Sequence, residues 1–394
     1  MRIIITGFFG FPNGMAATNR AMAYAQGLRR CGADVQVVCA KPSEPATGKA
    51  WNEKASGIFH DIPFAYGSGT TRVARSRMGA AWLYLKSLYW LIRTIQIIAR
   101  EQKRFAILAF PDDTASLPLI LLLSSRLFGG KLLIERSEFP FVHAKQTPII
   151  RLIRWLNQKW IYPRLDGLIV ISTYLEEYYR RILGCRSNMV RIPIMVELDR
   201  WIQVTRNPEP HDFTIAYCGN LDHPGEVEDL ISAFASVHRS QAKVKLLIIG
   251  DGKRKTGLQQ ITASQGTKGF IEFTGYLTRE EVESRLSCCD LLVLPRRAGT
   301  FSSAGFPIKL GEYLATGKPV IVTATGDIPL YLKDGESAYL VQPGDVKALA
   351  DRIQDVVAHY ETALQVGRAG QRVAAKYFDI EPNCRRVFSF INGC

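Results

Sequence analysis

Residues 294–322 read LPRRAGTFSSAGFPIKLGEYLATGKPVIV, and this stretch decides the fold. A short apolar strand, Leu291–Leu294, leads into it. Two arginines, a small-residue loop, a helix opening at Pro307 and a second apolar strand, Pro319–Val322, follow. A loop-to-helix junction just beyond the carboxyl end of a strand presents main-chain amides and a helix dipole that attract an anion. Pro307 suits the first helical position, where its missing N–H would have no helical partner anyway. Gly305 lets the backbone come close to a ligand. Lys309, with Arg296 or Arg297, would add cationic donors, and Glu312, about one turn on, offers a carboxylate to a ribose diol. The parts predict a cradle for a nucleoside diphosphate. A solvated arginine edge and an ordinary loop-to-helix junction explain each part singly, but not three cations in order around one helix start.

Outward from this stretch, short apolar runs alternate with longer helical stretches, which predicts an α/β chain with parallel sheets covered by helices on both faces. The expected strands in the first half are Arg2–Thr6, Asp34–Cys39, Ala106–Phe110, Lys131–Glu135 and Gly167–Ile171. In the second half they are Thr214–Tyr217, Lys245–Ile249, Ile271–Thr274, Leu291–Leu294, Val320–Val322 and Ala338–Val341. Each half therefore reads as doubly wound and Rossmann-like. RNPEPHD, Arg206–Asp212, is the expected linker. Ligands of such sheets bind beyond the carboxyl ends of the strands, which predicts a site in a cleft between two domains.

The segment GFPIKLGEYLATGKPVI, followed by GDIPLYLKDGESAYLVQPGD, resembles the donor-binding region of retaining GT-B glycosyltransferases of glycosyltransferase family 4. Other segments match in order. MRIIITGFF is similar to the opening strand and RLDGLIVISTYLEEYYRRIL to the last helical unit of the first domain. FTIAYCGNL and VKLLIIGDG resemble the opening strands of the second domain, and FIEFTGYLTREEVESRLSCCDLLVLP its base-binding stretch. The resemblance implies an acceptor-side domain over residues 1–200 and a nucleotide-sugar domain over 201–376, with 377–394 crossing back onto the first. It also implies donor contacts at Gly219, Gly250, Tyr276, Ala304, Gly305, Phe306 and Pro307, with Glu312 on the ribose. Two departures stand out. Where the family has two glutamates separated by seven residues, this chain has Ala304 and Glu312. Where it often has Arg and Lys after the first strand of the second domain, this chain has Asn220, His223 and Pro224. The departures shift the expected diphosphate charge onto Lys309, Arg296 and Arg297.

The 394 residues suit two ordinary domains, and 47% hydrophobic with 22% charged residues describe a globular chain. The net charge of +14 is lopsided. Residues 1–200 hold 28 Lys+Arg against 14 Asp+Glu, and residues 201–394 hold 22 against 22. No nucleic-acid-binding motif accompanies the basic half, so nucleic acid is not an expected partner. Between Arg72 and Arg104 eight cations flank AAWLYLKSLYWLIRTIQII, with Trp82, Tyr84, Tyr89 and Trp90 among them. Such a pattern suits a helix lying on an anionic membrane surface; the alternative is a buried helix with solvated basic ends. The apolar run Leu117–Leu123 is too short to span a bilayer, and the opening MRIIITGFFGFPNG reads as a strand and loop instead of a signal peptide. The eight cysteines show no CxxC pair, which predicts reduced thiols in the cytoplasm and no zinc site.

In the first half, the loop after the first strand places Gly10, Gly14, Met15 and Ala16 ahead of a helix, where small residues would admit a diphosphate or sugar. Glu135, Arg136, Ser137 and Glu138 cluster at another strand's end, with His143 nearby. Glu138 is the expected base toward an acceptor hydroxyl, provided burial raises its pKa; the alternative is a helix-capping or salt-bridged loop. No Asp-x-Asp pair lies in a suitable loop, so no metal cofactor is expected. The reading is a metal-independent, retaining hexosyl transfer from a nucleotide-diphosphate sugar to a bacterial glycan, with Arg296 and Lys309 stabilising the leaving diphosphate. The acceptor implied is linked to a polyprenyl-diphosphate at the inner face of the membrane. An epimerase of the same architecture and a non-catalytic membrane-associated partner protein are the alternatives.

Overall fold

The computed structural model describes residues 1–101, 104–111, 117–139, 147–184, 188–202, 212–241 and 243–394. His143 and most of the expected linker lie outside the described residues. The chain divides into two compact units, Met1–Pro193 with Ile380–Cys394, and Ile194–Asp379.

The first stretch runs β1 (Arg2–Gly7), α1 (Ala16–Arg30), β2 (Asp34–Cys39), β3 (Ser56–Phe59), β4 (Ile62–Tyr66), α2 (Arg77–Glu101) and β5 (Phe105–Phe110). It continues α3 (Leu117–Phe128), β6 (Lys131–Arg136), α4 (Pro148–Leu156), β7 (Gly167–Val170), α5 (Thr173–Leu183), β8 (Met189–Arg191) and α6 (Leu198–Ile202). Then come β9 (Phe213–Cys218), α7 (Glu226–Ser240), β10 (Val244–Ile249), α8 (Lys255–Ser264), β11 (Ile271–Gly275), α9 (Arg279–Ser287), β12 (Leu291–Leu294), α10 (Thr300–Ala304) and α11 (Ile308–Ala315). The chain closes with β13 (Val320–Thr323), α12 (Ile328–Tyr331), β14 (Tyr339–Val341), α13 (Val346–Ala358), α14 (Tyr360–Tyr377) and α15 (Ile380–Gly393).

The first unit is built on one sheet, ordered β3-β4-β2-β1-β5-β6-β7-β8 and parallel except for the β3–β4 hairpin. The second is built on an all-parallel sheet ordered β11-β10-β9-β12-β13-β14. Central strands such as β1 (Ile3, Ile4, Ile5) and β12 (Leu291, Leu292, Val293) are buried on both faces, as a parallel sheet between helices requires. The pairing of β9 with β10 and β12 brings the carboxyl ends of these strands to one edge of the second unit. The β3–β4 hairpin escapes the apolar pattern because β3 is exposed; it turns through His60 and Asp61, both at positive φ. No helix among the described residues is long and apolar enough to cross a membrane.

Candidate functional site

In the second unit the loop and helix expected after β12 are present, with two corrections. The small-residue loop contains a short helix, α10, and α11 begins at Ile308, with Pro307 as its N-cap at ψ 116°. A proline there has no N–H to lose and keeps the extended geometry of an entering chain. Ala304 is fully buried, and the Phe306 ring packs edge-on against Tyr331 and Phe378, 5.5 Å from each. Neither side chain is therefore open to a ligand.

Lys309 and Glu312 sit together in the first turns of α11, with Lys309 Nζ 2.6 Å from Glu312 Oε2. Burial pulls the Lys309 ammonium down, but Glu312 and Cys218 outweigh it and hold the group above the ordinary lysine range. Tyr313 fastens this helix to the end of β9, its hydroxyl accepting from the Cys218 amide at 2.6 Å. Just past β9, Gly219 donates its amide to Ile249 O at 3.0 Å, and Gly250 donates to Gly275 O at 3.0 Å. A Cβ on Gly250 would lie 1.9 Å from Gly219 O, so only glycine fits. Lys309, Glu312, Gly219 and Gly250 therefore gather at the strand ends, and Tyr276, next to Gly275, is exposed there.

The two arginines behave differently from the expectation. Arg297 pairs with Asp229 and crosses Gly225, the N-cap of α7, where a Cβ would meet its Nε at 2.5 Å. Its charge is already matched by a carboxylate. Arg296 is 7% exposed and lies over the Phe301 ring at 5.4 Å. Burial lowers its pKa against the pull of Glu226 and Tyr217, and burial likewise raises Glu226. Arg296 Nη1 has no hydrogen-bond partner among the described residues. Three acids, Glu226, Glu228 and Asp229, fill the first turn of α7, so that helix start already has its negative charge. The residues at the family's Arg and Lys positions serve local structure: Asn220 Oδ1 accepts from the Asp222 amide at 2.9 Å, and the His223 ring lies 5.2 Å from Phe301.

In the first unit the loop after β1 is held by a network that the sequence reading missed. Asn52 accepts from the Asn13 amide at 2.9 Å and donates to Asn13 O at 2.8 Å and to Glu44. Glu44 also accepts from the Trp51 amide and the Ser43 hydroxyl, and Tyr66 accepts from the Phe11 amide at 2.9 Å. Burial acts to raise the Glu44 carboxyl, but these donors outweigh it and hold it below the usual carboxylate range. Thr18 donates to Gly10 O at 2.6 Å, and its Oγ1 would lie 2.1 Å from a Cβ on Gly14. Met15, the N-cap of α1, is exposed.

The cluster at the end of β6 also resolves into internal contacts. Glu135 is buried, accepting from Arg20 Nε at 2.9 Å and from Ser137 at 2.8 Å. Arg20 further donates to Tyr24, to Ile192 O and to Pro193 O. Arg136 donates to Pro111 O and to the Tyr162 hydroxyl. Glu138 is exposed. The only sign of Arg20 in the sequence is a cation on the apolar face of α1. Among the described residues no three His, Cys, Asp or Glu side chains are grouped to hold a metal ion.

Two family models match the chain in succession: "Glycosyl transferase 4-like domain" over residues 16–194 and "Glycosyl transferases group 1" over 199–373. A glycogen synthase of Mycobacterium tuberculosis is 23% identical over 225 residues, 56% of this chain and 53% of its own, so the chain spans about half the length of that relative. A GDP-mannose-dependent alpha-(1-6)-phosphatidylinositol monomannoside mannosyltransferase of the same species is 21% identical over 290 residues, 71% of this chain and 74% of its own. The structure of Anabaena Alr3699/HepE in complex with UDP-glucose superposes with a TM-score of 0.71 at 15% identity, covering 100% of both chains. With both halves matched and both sheets of the expected kind, the chain belongs to the GT-B glycosyltransferases of glycosyltransferase family 4.

Proposed function

We propose that this protein is a retaining glycosyltransferase that moves a hexose from a nucleotide-diphosphate sugar to a lipid-linked bacterial glycan, without a metal ion. The observation that carries the reading is the Lys309–Glu312 pair in the first turns of α11, beside the glycine-lined ends of β9 and β10. A diphosphate takes the Lys309 ammonium and the α11 amides, and a ribose diol takes the Glu312 carboxylate. Main-chain groups at Gly219, Gly250, Tyr276, Gly305, Phe306 and Pro307 orient the donor. As the glycosidic bond breaks, negative charge grows on the leaving diphosphate. Lys309 and the preorganised amides stabilise it, doing the work that a divalent cation would otherwise do. Arg296, buried with one nitrogen lacking a hydrogen-bond partner among the described residues, is the second cation in reserve. In the first unit the loop at Gly14 and Met15 suits a sugar, and Glu138 is the carboxylate available to an acceptor hydroxyl.

A nucleotide donor is supported by the HepE complex with UDP-glucose, and a lipid-linked acceptor by the name of the mannosyltransferase relative. The α2 helix supports a peripheral seat on the cytoplasmic face of the membrane. It buries Leu88, Leu91, Ile95 and Ile98 and leaves Met78, Trp82, Leu85, Tyr89 and Trp90 exposed.

The test is sugar release and transfer from a panel of UDP- and GDP-sugars in chelator, followed by the anomeric configuration of the product. Transfer with retention is expected. Interconversion of the free nucleotide sugar would mean an epimerase, and nucleotide binding with no turnover would mean a non-catalytic partner.

A further inference from the structure

We propose that α4 and the turn that follows it, Thr147–Leu165, form an interfacial wedge that inserts into an anionic bilayer. The inference rests on the membrane-seated reading above but on a different element. None of the residues of α4 is buried. Ile149, Leu152, Trp155, Leu156 and Trp160 are 71%, 56%, 51%, 40% and 56% exposed. Ile149, Leu152 and Leu156 fall on one stripe of α4, which extends through the wide turn Asn157–Ile161 to Trp160. A helix that merely covers a core turns such a stripe inward.

The exposure is not spread evenly. Fourteen exposed large apolar residues lie on α2, α3 and α4 with its turn, against four in the whole second unit, among the described residues. On α3 they are Leu119, Leu123 and Leu127, again one stripe, and α3 packs against both α2 and the turn after α4. On the same sheet α5 shows what a solvated helix of this chain looks like, with Glu176–Arg180 and Glu177–Arg181 pairs one turn apart.

Charge selects the occupant. Residues 147–165 contain Arg151, Arg154, Lys159 and Arg164 and no Asp or Glu. A second copy meeting this face through a two-fold axis would set these cations against themselves. An anionic lipid surface matches them, while tryptophans at the helix flank sit where headgroups meet acyl chains. Arg154 bonds the Tyr178 hydroxyl at 3.0 Å and Arg164 caps Trp160 O at 2.9 Å, so Arg151 and Lys159, both exposed, are the cations left to face lipid.

The experiment is co-sedimentation of the full chain with phosphatidylcholine vesicles, with and without anionic phosphatidylglycerol, across a salt series. The variants are Trp155→Ala/Trp160→Ala, Arg151→Glu/Lys159→Glu, and Trp82→Ala/Trp90→Ala on α2. Each is checked by circular dichroism and by its thermal shift with UDP and GDP. Both α4 variants should lower partition into anionic vesicles about tenfold or more, with the nucleotide response of wild type retained. The charge variant disturbs no packed side chain, so its result holds even if the tryptophan variant fails to fold. Full vesicle binding by both α4 variants, with loss only in the α2 variant, would overturn the wedge and leave the peripheral reading standing. A wild type that ignores anionic vesicles at low salt removes both. A wild-type dimer in sedimentation velocity that the α4 variants convert to monomer would make the face a self-interface and overturn the proposal.

Discussion

Lys309 Nζ and Glu312 Oε2 stand 2.6 Å apart, one turn from each other, at the start of the helix that follows Gly305-Phe306-Pro307. Each group holds the other in place, and each is the expected contact for a different part of one nucleotide. Removing either leaves its partner charged and only partly exposed.

Lys309→Ala should therefore weaken nucleoside diphosphate binding by about 1.5–3 kcal/mol, the scale of a charge-assisted hydrogen bond. Monophosphates should lose less. Calorimetry with UDP and GDP checks this, and undiminished affinity for both would take Lys309 out of the site.

Glu312→Gln should cost ribonucleotides more affinity than their 2′-deoxy analogues, because a deoxy sugar has already given up part of what the carboxylate contributes. Titration of both nucleotide types against wild type and variant gives the comparison. Equal losses would assign Glu312 only the structural task of holding Lys309.

Glu44 gives the first unit an acid-sensitive joint. Its folded pKa is depressed, so its contribution is fully present above the unfolded carboxylate value near ~4.3 and is lost as pH falls through the folded value. Glu44→Gln should cost about 1–3 kcal/mol at pH 7, and the gap from wild type should close as pH drops below ~4. Urea unfolding between pH 3 and 7 measures it; a gap that is constant with pH would mean that the network depends on shape and not on charge.

Arg20→Ala should destabilise the first unit by about 3–5 kcal/mol, since it strands the buried Glu135 carboxylate. The double variant Arg20→Met/Glu135→Gln should recover much of that loss. Thermal unfolding of the single and double variants tests it, and additive losses would show that Arg20 acts mainly through the Ile192 and Pro193 carbonyls.

The sheets were legible because strands such as IIIT and LLVL are continuous apolar runs buried on both faces, and runs of that kind need no partner to be recognised. The strand β3 was not, because it sits at an edge with its side chains in water. At the site, Lys309 and Glu312 could be read together because they are three residues apart on one helix. Arg20 and Glu135 are separated by 115 residues and Asn13 and Asn52 by 39, so their bonds exist only once the sheet has formed. Arg296 and Arg297 looked like free phosphate donors because the acids that face them, Glu226 and Asp229, come from the far side of another strand.

The position of α15 bears on the order in which this protein can be made. Gly27 of α1 touches Cys384 so closely that a Cβ would lie 2.3 Å from its sulfur, and Lys131 donates to Ile391 O at 2.9 Å. The first unit is thus completed by residues that leave the ribosome after the entire second unit has been synthesised. The part translated first must wait for the part translated last, with the face later covered by α15 exposed in the meantime. A chain truncated after Asp379 should hold a protease-resistant second unit beside a first unit that is still cut.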